Sequence, residues 1–456
     1  MRFLISNSRT RRKAGSHFAM AIALATGTAM LSGVVAEPAQ AQREKKDRKK
    51  ENKPEYSKEF IEMFQPMQEV VNAEGGDIAS ISPQFGNLIA LSVSPDEKIV
   101  AGGLIYNAGA KTGDRAAQLE GMKLMLSSGK VEGENVGRYN FISYQLANAL
   151  GQHSDSRTYL QRAIDGGFTA DNVSKPIMQI AMAESFITEE RFAEGLDYLS
   201  RAISEAKAEG QQIDEAWYRR GLSVGYNNEV VPQVYDFAAG WVKDYPSPTN
   251  WRDAINIARN LNEFDSSAML DLLRLSRRVD GLQNKQEFIA YVEAADPRRL
   301  PKEVKRVIEF GYTSGRVSRD DIYLSDSLKT ADSRIAADQA ELPALERDAN
   351  AAGAGLRTVV AAGDAFLSYD QHAKAETFYT KALGIPGVDT NMVLTRLGIA
   401  QAEQGKFDEA RANFAKVTGP RVPIAKLWTA YVDQRDNAAP AAPAEPAAAT
   451  AVDSPA

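Results

Sequence analysis

The feature of this chain that most constrains its fold is internal self-similarity with a period near 34 residues. Trp251 follows Trp217 by 34 residues, and each tryptophan opens a stretch with helical periodicity. Gly398 follows Gly363 by 35 residues in matched surroundings, GDAFLSYDQHAKAETFYTKAL and GIAQAEQGKFDEARANFAKV. A fixed period of this length is typical of stacked supersecondary units, so the 456 residues are better read as an array than as unrelated domains.

The best unit has the pattern of a helical hairpin. Gly398 lies within a first helix and lets a second helix approach closely, and Gly405 marks the end of that first helix. Phe407, Ala410 and Phe414 then have the i, i+3, i+7 spacing of one helix face. A single hairpin cannot bury both of its faces, so neighbouring units must stack on one another.

These residues resemble the tetratricopeptide repeat family. The unit that starts at Asn391 matches the family pattern at Leu397, Gly398, Phe407, Ala410 and Phe414. The preceding unit matches at Gly363, Phe366, Ala375, Tyr379 and Ala382, with His372 at an aromatic position. Gln401 and Val417 depart from the pattern, and Trp428 falls in a following helix that would cap the array. The resemblance implies an all-α, right-handed superhelix, or solenoid, of degenerate hairpins.

Weaker repeat units lie upstream, and together with the C-terminal units they predict how the whole chain is divided into segments. Pro83 and Gly86 interrupt the helical pattern, so residues 78–93 are predicted to be irregular. The predicted segments are a signal peptide (1–41), a disordered charged linker (42–58), a lead-in helix and loop (59–97), a degenerate array (98–296), a helical spacer (297–350), C-terminal repeats (351–436) and a disordered Ala/Pro-rich tail (437–456).

The first 41 residues have the three parts of an export signal. The basic part contains Arg2, Arg9, Arg11, Arg12 and Lys13. An uncharged stretch over 18–36 follows, and Ala39-Gln40-Ala41 then forms a small-x-small cleavage site. The alternative is an uncleaved membrane anchor, but the stretch is only mildly hydrophobic and ends in a good cleavage site. Whether export is of the Sec or the twin-arginine type stays open.

Cleavage after Ala41 predicts a soluble periplasmic protein without an integral membrane segment. No cysteine follows the apolar stretch to accept a lipid, and no second apolar run has membrane length. Removing five basic groups and one acid changes the net charge from −6 to −10. An acidic chain argues against general nucleic-acid binding.

The composition points away from catalysis. The chain has no cysteine, which removes thiol nucleophiles and Cys-ligated metals, and only His153 and His372 remain after cleavage. Gly221-Leu222-Ser223-Val224-Gly225 matches the GxSxG nucleophile pattern, but that motif needs a preceding strand and the residues before it are helical and polar. The sequence therefore predicts no catalytic residue, no metal and no cofactor.

The remaining candidate site is a peptide-binding groove. In the tetratricopeptide family, defined positions of each first helix line the concave face. Carried onto 214–247 and 248–281, the resemblance implies a groove with Tyr218, Tyr226, Arg252, Asn256, Arg259 and Asn260. Arg252 and Asn256 resemble half of the family's carboxylate clamp, and the other clamp residues are not recognisable in the next repeat. A basic residue and an amide one turn apart can bind a peptide carboxylate and carbonyl.

The predicted function is non-catalytic binding of a protein or peptide partner, as a periplasmic scaffold or assembly factor. Two alternatives stay open. One is a hydrolase that uses Ser223 or carboxylates in a groove. The other is a structural element of the envelope that contacts peptidoglycan or membrane through the basic segment 43–53.

Overall fold

The computed structural model describes residues 55–438, and their regular structure is entirely helical. These residues contain no β-strand, only an isolated bridge between Ala170 and Val173. The all-α class that the repeat predicts is therefore confirmed for this part of the chain. Among the same residues, no helix combines the length and the apolar character needed to cross a bilayer.

Twenty-one α-helices follow one another along the described chain. The first eleven are α1 (Lys58–Asn72), α2 (Ile78–Ile81), α3 (Phe85–Leu91), α4 (Pro95–Thr112), α5 (Arg115–Ser127), α6 (Glu134–Ala149), α7 (His153–Asp165), α8 (Lys175–Thr188), α9 (Phe192–Ala208), α10 (Glu215–Asn227) and α11 (Gln233–Asp244). The others are α12 (Pro248–Asn260), α13 (Ser266–Arg278), α14 (Lys285–Ala295), α15 (Pro301–Thr313), α16 (Ile322–Asn350), α17 (Leu356–Ser368), α18 (His372–Leu383), α19 (Thr390–Glu403), α20 (Phe407–Phe414) and α21 (Val422–Ala438).

Side-chain contacts between successive hairpins recur at the period seen in the sequence. Arg220 donates to Glu184, 36 residues earlier, with both oxygens at 2.6 Å. Asn260 donates to the Tyr226 hydroxyl, 34 residues earlier, at 3.0 Å. Helices adjacent in sequence also pack on each other along the whole described chain. The structure is thus a helical repeat-like stack, compatible with tetratricopeptide-like hairpins.

Glycine-to-aromatic packing joins the two helices of each C-terminal hairpin. A Cβ added to Gly363 would lie 2.6 Å from Cε1 of Tyr379, and one added to Gly398 would lie 2.6 Å from Cε1 of Phe414. The ring therefore fills the space that a side chain would need, which is why the helices can approach this closely. Of the other predicted packing residues, Ala375 and Ala410 are fully buried and Phe407 is partly buried.

Residues 78–93 differ from the irregular segment that the sequence predicts. They form α2, a 3₁₀ turn over Ser82–Gln84 and α3. Pro83 lies within the 3₁₀ turn, where its missing N–H breaks no helical bond. Ile78, Ile81 and Leu88 are buried in the first core, so tertiary burial outweighs the local breakers.

The predicted spacer 297–350 consists of α15 and α16, and most of its buried side chains lie in a second core, here called the middle core, which they share with α13 and α14. Phe288 of α14, Val304 of α15 and Leu324 of α16 are fully buried in that core. The 29-residue helix α16 then runs on to the large core that contains Leu342 and Ala349. Residues 332–341 between these two anchor points are mostly exposed.

The C-terminal helices return to the middle of the chain, which the sequence does not predict. Helix α21 packs on α11, α12 and α13, and α19 packs on α13. Trp428, predicted to lie in a capping helix, is fully buried, stacks on Phe414 with ring centroids 6.3 Å apart, and donates from Nε1 to the backbone oxygen of Asp271 at 2.9 Å. The helices before and after α14–α16 therefore share one core.

Several predictions concern residues outside the described range. The signal peptide (1–41), linker residues 42–54 and tail residues 439–456 all lie there. Of the predicted linker, only its last residues are described, and Ser57 caps α1 by accepting from the amide of Phe60.

Candidate binding surface

The predicted groove residues lie on α10 and α12, two first helices of successive hairpins. Asp214 caps α10 through its side chain, which accepts from the amide of Ala216 at 2.8 Å. Ser247 caps α12 by accepting from the amide of Asn250 at 3.0 Å, and Pro248 occupies the first turn. These caps satisfy N–H groups that have no partner within the helix and fix where each helix begins.

Four of the six predicted residues form a polar face across these two helices. Tyr226 and Asn260 are brought together by the 3.0 Å hydrogen bond between their side chains. Asn256 lies one turn before Asn260 on α12 and is partly exposed, as is Arg259. Among the described residues, Arg259 has no carboxylate within ion-pair distance, so its guanidinium is free to receive an acceptor from outside.

Arg252 lies on the same helix but is engaged within the protein. Its Nε donates to Glu287 at 2.8 Å. Glu287 also closes the capping box of α14, where its second oxygen accepts from the amides of Gln283 and Asn284. A partner carboxylate at Arg252 would therefore compete with a buried carboxylate that already holds two hairpins together.

Tyr218 lies beneath this face rather than on it. Its side chain is 2% exposed, and its hydroxyl donates to Asp244. Burial and the Asp244 carboxylate raise the pKa of Tyr218 above its ordinary value. The ring also packs against Gly240, where an added Cβ would lie 2.9 Å from Cε1. Tyr218 thus fastens α10 to α11 and supports the polar face from inside.

A groove of about 510 Å³ lies between α11, α20 and α21. Its floor is apolar, and its lining includes Ala239, Phe414, Val417, Val422 and Ala425. The charged residues at its rim form ion pairs with one another. Lys243 lies 2.7 Å from Asp433, and Arg411 lies 3.3 Å from the same residue. The volume is within the range of small-ligand pockets, but no free polar group converges on it.

Ser223, the candidate nucleophile of the hydrolase alternative, lies in the middle of α10. Its hydroxyl is exposed and accepts from Asn227 at 3.4 Å. Gly221 packs against the ring of Phe237, which is its role in the hairpin. The strand and strained turn that the nucleophile motif needs are therefore replaced by a continuous helix. Within residues 55–437, no group of three or more His, Asp or Glu side chains is arranged to hold a metal ion.

A buried ionic network, which sequence reasoning missed, centres on Asp271 of α13. This carboxylate is fully buried and accepts from three arginines: Arg274 at 2.9 Å, Arg396 at 3.2 Å and Arg421 at 2.7 Å. Arg396 belongs to α19, and Arg421 to the 3₁₀ turn before α21. Burial alone would raise the pKa of Asp271, but the three guanidinium groups outweigh it and hold the pKa below its ordinary value.

The network extends through Arg274 to Glu303 of α15. Arg274 binds both carboxylate oxygens of Glu303, at 2.8 and 2.7 Å, and the Tyr291 hydroxyl donates to the same group at 2.7 Å. Burial disfavours the Glu303 anion, yet Arg274 holds the pKa of Glu303 at about 2. The network therefore joins α13 to the middle core and to the C-terminal helices at once.

A sequence signal for this network exists but is easily overlooked. Asp271 and Arg274 stand on the apolar face of α13, in the run MLDLLRLS, and are spaced i, i+3. Arg396 likewise lies within a mainly apolar stretch of α19, MVLTRLGIA. Charges on an apolar face indicate buried pairs, since an unpaired buried charge is very costly, but they do not identify the partner.

The described residues thus present a polar face on α10 and α12 and a buried ionic network behind α13. Neither contains a recognisable catalytic arrangement. No protein-family model matches the chain, and no curated protein matches it significantly in sequence.

Proposed function

We propose that this protein is a non-catalytic scaffold or assembly factor of the periplasm that binds a protein or peptide segment on the face formed by α10 and α12. The proposal further takes the hairpins as tetratricopeptide-like units of a right-handed superhelix, whose concave side would carry this face. The single observation that carries it is the set of solvent-accessible polar groups on successive first helices. Among them is the guanidinium of Arg259, which has no carboxylate partner within residues 55–437.

The chemistry of this face suits a polypeptide. Asn256 and Asn260 each offer a donor and an acceptor, as a peptide backbone requires, and Tyr226 adds an aromatic surface with a polar end. Arg259 can form charge-assisted hydrogen bonds to a carboxylate, which are roughly twice as strong as neutral ones. A partner segment that carries an acidic side chain or a free C-terminus therefore fits best.

Site-specific crosslinking tests the surface. We would place a photo-crosslinking amino acid at Asn260 and, as a control, at the exposed Arg138 of α6, then illuminate cells that express each protein. We expect a partner band at Asn260 that is absent at Arg138 and that disappears when Arg259 is changed to Glu. A folded protein that gives the same bands at both positions, or none at Asn260, would count against the proposal.

The export part of the proposal has its own test. We expect the mature protein to fractionate with the periplasm and to begin near Gln42 by N-terminal sequencing. Deletion of residues 43–53 should leave this fractionation unchanged, since the proposed binding face lies elsewhere. A protein that sediments with the envelope and moves into the soluble periplasmic fraction on that deletion would favour the envelope-contact alternative instead.

A further inference from the structure

A second polar feature lies where α13 and α15 meet the C-terminal helices α18 and α19. A cavity of about 20 Å³ opens there, bordered by Arg277, Arg278, Arg306, His372 and Glu403. This volume accommodates about one water-sized group. The cavity is separate from the polar face of α10 and α12 and contributes nothing to the binding proposed above.

The charges around this cavity do not balance. Arg274 is paired with Glu303, Arg278 with Glu403 and Arg306 with Asp370. Arg277, the fourth guanidinium at the cavity, has no carboxylate within ion-pair distance among residues 55–437. Burial lowers the pKa of Arg277, and the neighbouring charges of Arg306 and Arg278 lower it further, against the opposing effect of Glu303.

Nitrogen atoms without partners border the same cavity. Nε of Arg277, Nε of Arg306 and Nδ1 of His372 are each buried and have no hydrogen-bond partner within the described chain. Oε1 of Glu403 is also buried without a hydrogen bond there, but its charge is balanced by Arg278, whose Nε lies 2.7 Å away. Buried polar atoms without partners are rare in folded proteins, because each one costs about 1–3 kcal/mol. The two arginine Nε–H groups can only donate, and Nδ1 of His372 donates in one of the two imidazole tautomers, so the cavity suits a group that accepts hydrogen bonds.

We propose that this cavity binds one small monovalent anion, a chloride ion or a carboxylate group, against Arg277, Arg306 and His372. A cation is excluded by the excess of guanidinium groups. An anion supplies both the missing acceptor and the missing negative charge, whereas a water molecule supplies only the acceptor. Bound there, the anion links α13 and α15 to the N-terminus of α18, where His372 is the first residue of the helix.

Thermal unfolding of the mature protein at constant ionic strength tests this site. The reference salt is sodium gluconate, whose bulky anion exceeds the cavity, and it is replaced by sodium chloride or sodium formate. A ligand that binds only the folded state raises the melting temperature. We expect chloride, formate or both to raise the Tm by about 2–4 °C at a hundredfold excess over the dissociation constant. A response to chloride alone assigns a halide site, and a response to formate assigns a carboxylate site.

Two variants make the outcome decisive. Arg277→Met should lose the anion response and should melt higher than the wild type in gluconate, because it removes a partly buried charge that has no carboxylate partner within residues 55–437. Arg138→Met, which removes an exposed arginine of α6, should keep the full response. An unchanged wild-type Tm in all three salts, or an equal rise in Arg277→Met, would overturn the proposal.

Bromide-soaked crystals of the wild type give an independent readout that needs no variant to fold. An anomalous peak within hydrogen-bonding distance of Arg277 supports the site. An empty cavity at saturating bromide, together with no formate response, overturns it.

Discussion

The first eight helices and the last thirteen are built from similar hairpins but are held together differently. In α1–α8, small separate cores are shared by helices that are neighbours in sequence, such as the core of Phe60 and Leu88 and that of Met122 and Ala147. From α9 onward one large core, which also includes Ala183 of α8, joins both sides of α14–α16. Side-chain bonds there connect residues as far apart as Lys243 and Asp433, which are separated by 190 positions.

This difference shows that distant hairpins of a repeat array can pack on each other without any change in the repeating unit. Closing a long loop costs only slightly more conformational entropy than closing a short one, since the cost grows with the logarithm of loop length. The return of α21 onto α11 is therefore inexpensive, and it couples distant hairpins into one unit. The N-terminal hairpins in the described part of the chain pack mainly on their neighbours in sequence, so we expect them to unfold more locally.

The largest expected effect is at Asp271. Asp271→Asn keeps the shape of the side chain but removes the negative charge that Arg274, Arg396 and Arg421 share. Breaking a buried ion pair leaves an uncompensated charge, so we expect a loss of about 3–5 kcal/mol in the free energy of unfolding. Urea denaturation followed by the fluorescence of the buried Trp428 would measure it.

The control for that change is Asp326→Asn, which removes an exposed carboxylate paired with Lys329 at 2.9 Å. An exposed pair contributes at most about 1 kcal/mol. If both variants lose the same small amount of unfolding free energy, the buried network does not hold the C-terminal helices on α13.

The second prediction is a loss of stability at low pH caused by Glu303. The pKa of Glu303 is about 2 in the folded protein, against an ordinary value of 4.5. Because the folded pKa is depressed, its stabilising contribution is complete above about pH 4.5 and is lost as the pH falls toward 2. The contribution is roughly 3 kcal/mol. We expect it to appear as a steep loss of stability in urea titrations between pH 5 and pH 2.5.

Glu303→Gln should flatten that part of the profile, because glutamine does not titrate. Glu309→Gln, a change at an exposed position on the same helix, should leave it steep. A profile for Glu303→Gln that still matches the wild type would show that other carboxylates carry the acid sensitivity.

The third prediction tests whether the N-terminal hairpins respond locally. Glu97 is 2% exposed, and its carboxylate accepts from the amides of Ser57, Val93 and Ser94 at 2.7, 3.0 and 2.8 Å. Burial would raise the pKa of Glu97, but these hydrogen bonds hold it at about 2. Glu97→Gln should cost about 2 kcal/mol and speed hydrogen exchange in α1.

Exchange in α13 and α19 should stay unchanged in Glu97→Gln, and Glu120→Gln, an exposed change on α5, should alter neither region. Faster hydrogen exchange throughout the described chain in Glu97→Gln would mean that the N-terminal and C-terminal helices unfold together and that the N-terminal hairpins do not open locally.

The smallest predicted effect is at the glycine-to-aromatic contacts. Gly398→Ala gains up to about 1 kcal/mol of helix propensity but forces Cβ against Phe414, and overpacking costs about 1–3 kcal/mol. We expect a net loss of about 1 kcal/mol in thermal or urea unfolding. Gly103→Ala, in α4 with no atom within 4 Å of the added Cβ, should instead stabilise the protein by roughly 0.5–1 kcal/mol. Equal stabilisation by both changes would contradict the close-packing role.

The sequence predicts the parts of this molecule that have local or periodic signatures. Helical class follows from apolar spacing, and the hairpin contact of Gly398 with Phe414 follows from a glycine and an aromatic 16 residues apart. The pairing of Asp271 with Arg396 spans 125 residues, and nothing in either helix identifies the other. Arg259 could be proposed as a groove residue from its repeat position. That Arg277 has no carboxylate partner within residues 55–437 depends instead on the packing of several helices, which only the structure provides.

The long helix α16 has a consequence for how the two cores are set relative to each other. At about 1.5 Å per residue, its 29 residues form a strut of about 43 Å that is anchored at both ends and mostly bare between. A strut of this kind fixes angle as well as distance, because each residue inserted within 332–341 would turn the far end by about 100°. Seven inserted residues would nearly restore the phase but would add about 10 Å between two cores that α13 also joins, so the length of α16 is constrained as well as its phase.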